Sequence, residues 1–310
     1  MRLDALRPLL TCFAFTALGS VPSVYAQVVN PADKQPATHA AAGQDQAPAT
    51  GDDHHTWTMP PVTVYGQAPL REEDRIGDYA QPRWTAHRRF SETRLYVIPK
   101  GMVEFEYWLR TDAPKRGNGP TEFQSMYEFE FGLPKRFQLD LYAVGHKTGS
   151  EGSFAVNEQK VEVRYAFADW NKIFGNPTVY LEWSQENQGH DLVEGKVLLG
   201  GQMVSRWHWG MNFVSEQETG GAREISNEWT TGISYSAEDT KLAVGVETQL
   251  AMVNSRIAPG LRSPYETSFL AGPSLQFRPL PQMHIDIAPL FGTTQPSLRA
   301  KTFVVFGWEF

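Results

Sequence analysis

The stretch KTFVVFGWEF, residues 301–310, alternates with a period of two. Phe310, Trp308, Phe306 and Val304, with Thr302 as a weaker member, share one face. Glu309, Gly307, Val305, Phe303 and Lys301 share the other. That periodicity is the mark of a β-strand. A face this apolar at the end of a sequence needs cover, because chain ends are otherwise polar and frayed.

The same alternation runs through the preceding two hundred residues. In GMVEFEYWLR, from Gly101, residues Val103, Phe105, Tyr107 and Leu109 oppose Glu104, Glu106 and Arg110. In EFQSMYEFEFGL, Phe123, Tyr127, Phe129 and Phe131 oppose Gln124, Glu128 and Glu130, and in FQLDLYAVGH, Phe137, Leu139 and Leu141 oppose Gln138 and Asp140. Similar segments recur up to the last one, which predicts about twelve strands of roughly nine to twelve residues with no helix between them.

A water-soluble sandwich shows the same alternation, so three further features decide the solvent. Connections alternate between tight turns (LPKR, VSR, AEDT, RPLPQ) and long polar loops (TDAPKRGNGPT, HKTGSEGSFAV, NQGHDLVEG, EQETGGARE, VNSRIAPGLRSP). DWNKIFGN is oddly long for the tight set. The strand lengths match the roughly nine to eleven tilted residues that cross a bilayer. Aromatic residues gather near strand ends, at Trp108, Trp183, Trp207, Trp209, Trp229, Tyr235 and Trp308, where transmembrane barrels carry interfacial girdles. In hydrocarbon no sheet edge can stay open, so the strand at Gly101 is expected to pair with the one ending at Phe310. The fold class is therefore all-β: a closed antiparallel transmembrane β-barrel of about 12 strands, an up-and-down meander over residues 101–310.

Composition agrees. Nine Trp and 12% aromatic residues are rich for 310 residues, and a net charge of −7 without a basic run disfavours nucleic acid. Residues 1–26 have the pattern of an export signal: Arg2 and Arg7, then PLLTCFAFTALG, then SVYA with cleavage expected after Ala26. Cys12 sits inside that apolar core; a lipid-modified cysteine is the alternative, and otherwise the mature chain has no thiol chemistry. Residues 27–100 are expected to be a flexible periplasmic segment, at first rich in Ala, Pro, Gln and Asp, in which His54 and His55 suit a solvated tract better than a metal.

The end TFVVFGWEF resembles the C-terminal signal of Gram-negative outer-membrane β-barrels, carried by Val304, Phe306, Trp308 and Phe310. That resemblance implies the bacterial outer membrane as location, its lipid as surroundings and the β-barrel assembly machinery as partner. EFEFGLPKRFQLDLYAVG is more loosely similar to the barrel family around the meta-pathway of phenol degradation. VTVYG, Val62–Gly66, resembles the energy-coupling box of TonB-dependent receptors, where an extended peptide adds a strand to a partner's sheet. The chain is too short for that family's plug and large barrel, and a linker strand is the competing reading.

With the aromatic faces toward lipid, the lumen is lined by Glu104, Glu106, Glu128, Glu130, Asp140, Glu162, Arg164, Glu182, Lys196, Glu228, Glu247, His284, Asp286 and Lys301. An acidic excess suits a porin-like passive channel or binding protein for small cationic or neutral solutes. Internal charge pairing that occludes the lumen is the alternative, giving a structural or surface-interaction barrel. His284 and Asp286 lie two apart and could act as a base with its orienting carboxylate. No His-x-Ser accompanies His208 or His284, so a lipid-acting enzyme is the third reading and no catalytic residue is assigned. His146 and His190 fall in loops. No zinc-type spacing or phosphate loop is present, so neither metal nor cofactor is expected. The glycine pair of VLLGGQMV is read as a strand-packing or bulge site.

Overall fold

The computed structural model describes residues 70–149, 154–187 and 189–310. The signal, Cys12, His54, His55 and Val62–Gly66 lie outside the described residues.

Twelve antiparallel strands close on themselves. They are β1 Val103–Ala113, β2 Glu122–Gly132, β3 Phe137–Thr148, β4 Ala155–Ala166, β5 Thr178–Glu186, β6 Leu192–Val204, β7 Trp207–Glu218, β8 Ile225–Glu238, β9 Leu242–Asn254, β10 Glu266–Leu280, β11 Met283–Gly292 and β12 Ala300–Glu309. Each pairs with its sequence neighbour, and β12 closes on β1 in unbroken register from Ala300 opposite Ala113 to Glu309 opposite Glu104. The backbone N–H of Phe310 adds a last bond to the Val103 carbonyl at 2.9 Å. The meander follows from the turn chemistry. At the tight turns Lys135, Arg136, Arg206 and Thr240 take positive φ, which reverses the chain in a few residues.

Alternation sorts the two faces. Leu181, Val246, Phe291 and Val304 point outward and exposed, while Glu104, Glu106, Glu130 and Glu162 on the opposite face are fully buried. This is a barrel dressed for hydrocarbon outside and for charge inside. One ladder is imperfect. Between β10 and β11 pairing jumps from Ala271–Phe291 to Leu275–Ile287, where Pro273 and Pro289 lack an N–H to give.

Three expectations fail. His146 is not a loop residue: it lies in β3, with its Nε2 3.0 Å from Glu158. Trp108 is not an interfacial girdle residue: its ring is 6% exposed and lies inside the barrel. It belongs to an apolar sector of the lumen wall with Leu270, Ala288, Leu290, Phe303 and Val305. Even-numbered β1 positions face inward, and Trp108 is even; β1 also runs on to Ala113, which puts this residue at the middle of the strand and not at an end.

Residues 70–100 are likewise no flexible arm, although they lack any strand pattern. Trp84, Phe90, Tyr96, Val97 and Ile98 are each at most 2% exposed. This segment enters the lumen from the tight-turn end as a bent hairpin. A small ladder of Arg75–Ile76 with Gln81–Pro82 starts it. Its tip is Ser91–Glu92, and it leaves past Gly132, whose N–H and C=O bond Met102 and Gly101. The long turn 167–177 is explained by the same segment. Its Trp170 packs edge-on to Trp84 at 5.5 Å and to Tyr96 at 5.2 Å. The Tyr96 hydroxyl donates to the Ala168 carbonyl at 2.7 Å.

Candidate functional site: a charged lumen and its resident segment

The lumen is organised by a row of carboxylates. Opposite partners in the ladders run Glu309–Glu104, Glu104–Glu130, Glu130–Asp140, Asp140–Glu162, Glu162–Glu182, Glu182–Glu194 and Glu194–Glu216. Eight neighbouring strands thus place acids side by side, an arrangement that costs energy unless cations answer it.

Two different sets of cations do so. Along β3–β6 the wall supplies its own. Arg164 pairs with Asp140 at 3.1 Å and with Glu162. Lys160 reaches Glu182 at 3.1 Å and Glu158 at 3.2 Å, and Lys196 meets Glu194 at 2.7 Å. Tyr142 donates to Glu162 at 2.5 Å.

On β1 and β2, among the described residues, no wall Lys or Arg pairs with Glu104, Glu106, Glu128 or Glu130. The lumenal segment supplies the charge. Arg88 donates from Nε to Glu106 at 2.9 Å and lies 3.4 Å from Glu128 and 3.5 Å from Glu130. Arg94 pairs with Glu130 and lies 3.4 Å from Glu106. The Arg88 guanidinium also sits over the Trp108 ring, 4.1 Å from its centroid, where the aromatic face attracts a cation. The Trp108 Nε1–H donates to Glu106 at 3.0 Å and Glu128 at 2.9 Å, so ring and carboxylates brace one another.

Shape fits as well as charge. Gly200, Gly210 and Gly232 oppose one another on β6, β7 and β8 and face inward. A Cβ on Gly200 or Gly210 would overlap Leu95, and one on Gly232 would lie 2.8 Å from Phe90 Cε1. The glycines form a flat shelf for the segment, which bears out strand packing as the reading for Gly200. The same lateral row continues to Glu247 on β9. That carboxylate accepts the backbone N–H of Ser91 at 3.1 Å and of Glu92 at 3.0 Å, capping the tip of the hairpin.

The remaining lumenal residues fall as follows. His284 lies over Gly307, with Nδ1 at 2.5 Å from Asp286 and Nε2 at 2.9 Å from Glu104. His87 of the segment bridges Glu104 at 3.4 Å and Arg278 at 2.6 Å. Burial, with Arg278 beside it, pushes the His87 imidazole down to about 4, so it accepts from Arg278 as a neutral ring. His87, Glu104 and His284 are close enough to share an ion, but Arg278 already supplies positive charge at the His87 nitrogen. Lys301 donates to Gln249 at 2.9 Å, and Gln249 donates to Glu228 at 2.6 Å.

His208 lies beneath the Trp84 ring at 4.3 Å. Neither His208 nor His284 has any exposed surface, so neither meets the lipid boundary where a lipid-acting enzyme would need it. Beyond the tip of the segment, toward the long loops, the lumen holds a cavity of about 440 Å³. Its floor is Arg88, Ser91, Glu92 and Arg94, and Tyr180, Lys196, Glu216 and Glu228 are among its walls.

No protein-family model matches the chain, and no curated protein sequence does. An outer membrane channel from Pseudomonas putida F1 superposes with a TM-score of 0.51 at 9% identity, over 72% of this chain and 100% of that one. The NanC porin gives 0.45 at 13% identity over 66% and 97%, and the KdgM porin 0.44 at 9% over 67% and 99%. At such identities a likeness speaks for architecture alone, and the first of them agrees with the apolar exterior and closed ladder: the chain folds as an outer-membrane β-barrel.

Proposed function

We propose that the protein is an outer-membrane channel for small cationic or neutral polar solutes, closed at rest by its own lumenal segment. The observation that carries this is the 440 Å³ polar cavity floored by residues of a separate segment rather than by the wall. Its volume is that of a small-molecule site. The floor is held by side-chain contacts and a few backbone bonds, and not by a continuous strand ladder. It is the removable part of the lumen.

Planar-bilayer recording tests the proposal. Wild-type protein is expected to be silent or nearly so. Glu247→Ala, which uncaps Ser91 and Glu92, is expected to raise the open fraction on the order of tenfold, the effect of losing about 1–2 kcal/mol of charge-assisted hydrogen bonding. Silence in this variant and in every other that displaces the segment would favour the second reading, a permanently occluded barrel acting through its loops. Burial of Trp84 and Phe90 at 1% exposure each is what that reading has in its favour.

Phe310 is 74% exposed and contributes one backbone bond. If it serves recognition by the assembly machinery, its deletion lowers the amount of barrel in the outer membrane several-fold. The thermal midpoint of the barrel that does assemble stays within a few degrees of wild type. Normal insertion of the deletion variant would count against that role.

A further inference from the structure

Three acids of β1 and β2, Glu106, Glu128 and Glu130, take their arginine partners from the segment and not from the barrel wall, whereas Glu104 is held by His284 of β11. Glu104, Glu106, Glu128 and Glu130 are fully buried. Even with the segment seated, Oε2 of Glu104 and Oε1 of both Glu128 and Glu130 have no hydrogen-bond partner. Buried carboxylate oxygens without donors are costly, and those of Glu128 and Glu130 belong to carboxylates that meet the Arg88 and Arg94 side chains. Against the Arg88 guanidinium stands the face of Trp108, oriented by its bonds to Glu106 and Glu128. Carboxylates around the rim of a planar cation and an aromatic face beneath it are the chemistry that recognises a guanidinium group.

We infer that Glu106, Glu128, Glu130 and Trp108 form a binding site for guanidinium-bearing solutes, in which Arg88 and Arg94 act as resident, competing ligands. This rests on reading the lumen as a solute path. Arg88, Arg94, Trp108 and Glu128 all line the cavity that extends to the loop end, so a solute arriving there meets the site from above. The acid row supplies the approach. From Glu216 through Glu194, Glu182, Glu162 and Asp140 it runs strand by strand to Glu130. The wall cations Lys160, Arg164 and Lys196 neutralise its upper part and leave its lower part to the ligand. Displacement is an exchange of one guanidinium for another, so opening does not strand the carboxylates.

The test is equilibrium binding of agmatine to the refolded full-length chain in detergent, with glutarate and glucose as controls. Arg88→Ala/Arg94→Ala is expected to bind agmatine at least tenfold more tightly than wild type, and neither control should bind. Adding Glu128→Gln and Glu130→Gln should abolish the gain, and Trp108→Leu should reduce it. If the double variant does not fold unaided, agmatine in the refolding buffer should restore the heat-modifiable barrel where equimolar KCl does not. A folded variant blind to agmatine, a gain that survives the Glu→Gln changes, or a failed refolding that agmatine does not rescue would each overturn the assignment. Conductance is a separate readout: binding without any openings would overturn the channel reading and leave the site in place.

Discussion

Gly210→Leu is expected to drive the lumenal segment out of a barrel that remains closed. A Cβ at this position overlaps Leu95 and comes within 2.8 Å of Thr93 Cγ2 and 3.3 Å of Phe90 Cε2. Either the wall or the segment has to move. β7 is hydrogen-bonded along its length to β6 and β8, and lipid outside offers no substitute partners. The segment answers mainly with side chains and can find water at the tight-turn end, so the segment yields. Overpacking of about 3 kcal/mol shifts its seating equilibrium about 100-fold. Trypsin reads the result. Arg88, Arg89 and Arg94 are at most 7% exposed in the seated form, so cleavage after them, identified by sequencing the new N-termini, should accelerate by about that factor. Bilayer openings should rise in parallel. Unchanged protection of all three arginines would show that the shelf is not what holds the segment.

Arg94→Ala is expected to destabilise the folded chain strongly, and Glu130→Gln in the same chain is expected to return most of the loss. Removing one member of a buried ion pair costs about 3–5 kcal/mol, because the partner stays charged in a poor solvent. Glu130 is the acid most dependent on the segment, with Arg94 and Arg88 as its cations and Gln138 as a donor at 3.3 Å. The pair is in contact, so the two effects should be far from additive, with a coupling of about 1–3 kcal/mol. Urea titration in detergent of both single variants and the double variant closes the cycle. Additive losses would mean that the two side chains do not share an interaction.

Much of this molecule is legible from spacing alone. The alternation from Val103 to Glu309 marks strands, separates the lipid face from the lumen face, and puts the Phe310 end against β1. Trp108 is the exception: an aromatic residue near the end of GMVEFEYWLR suits a girdle, but the strand continues to Ala113 and its parity on β1 puts it inside. The segment of residues 70–100 was not legible by periodicity, because it packs as an irregular hairpin whose apolar residues, Trp84, Phe90 and Leu95 to Ile98, follow no period of two or 3.6. Charge carries a fainter signal. The inward positions of β1 and β2 hold Glu104, Glu106, Glu128 and Glu130 against a single arginine, Arg110, which pairs with Asp112, and PRWTAHRRFSETR holds Arg83, Arg88, Arg89 and Arg94. Three glycines at matching inward positions on β6, β7 and β8 mark a place where something lies against the sheet.

The hairpin course of the segment bears on biogenesis. Its two limbs pass through the same mouth, one near the Arg206 turn, where Gln202, Ser205 and Arg206 bond Glu73, and the other beside Gly132. Among the described residues, the segment doubles back at Ser91–Glu92 and does not run the length of the cylinder. A finished, inserted cylinder can therefore accept its stopper afterwards, and can give it up and take it back without unzipping a single seam. The hairpin geometry allows insertion into the membrane and seating of the segment to be two separate events.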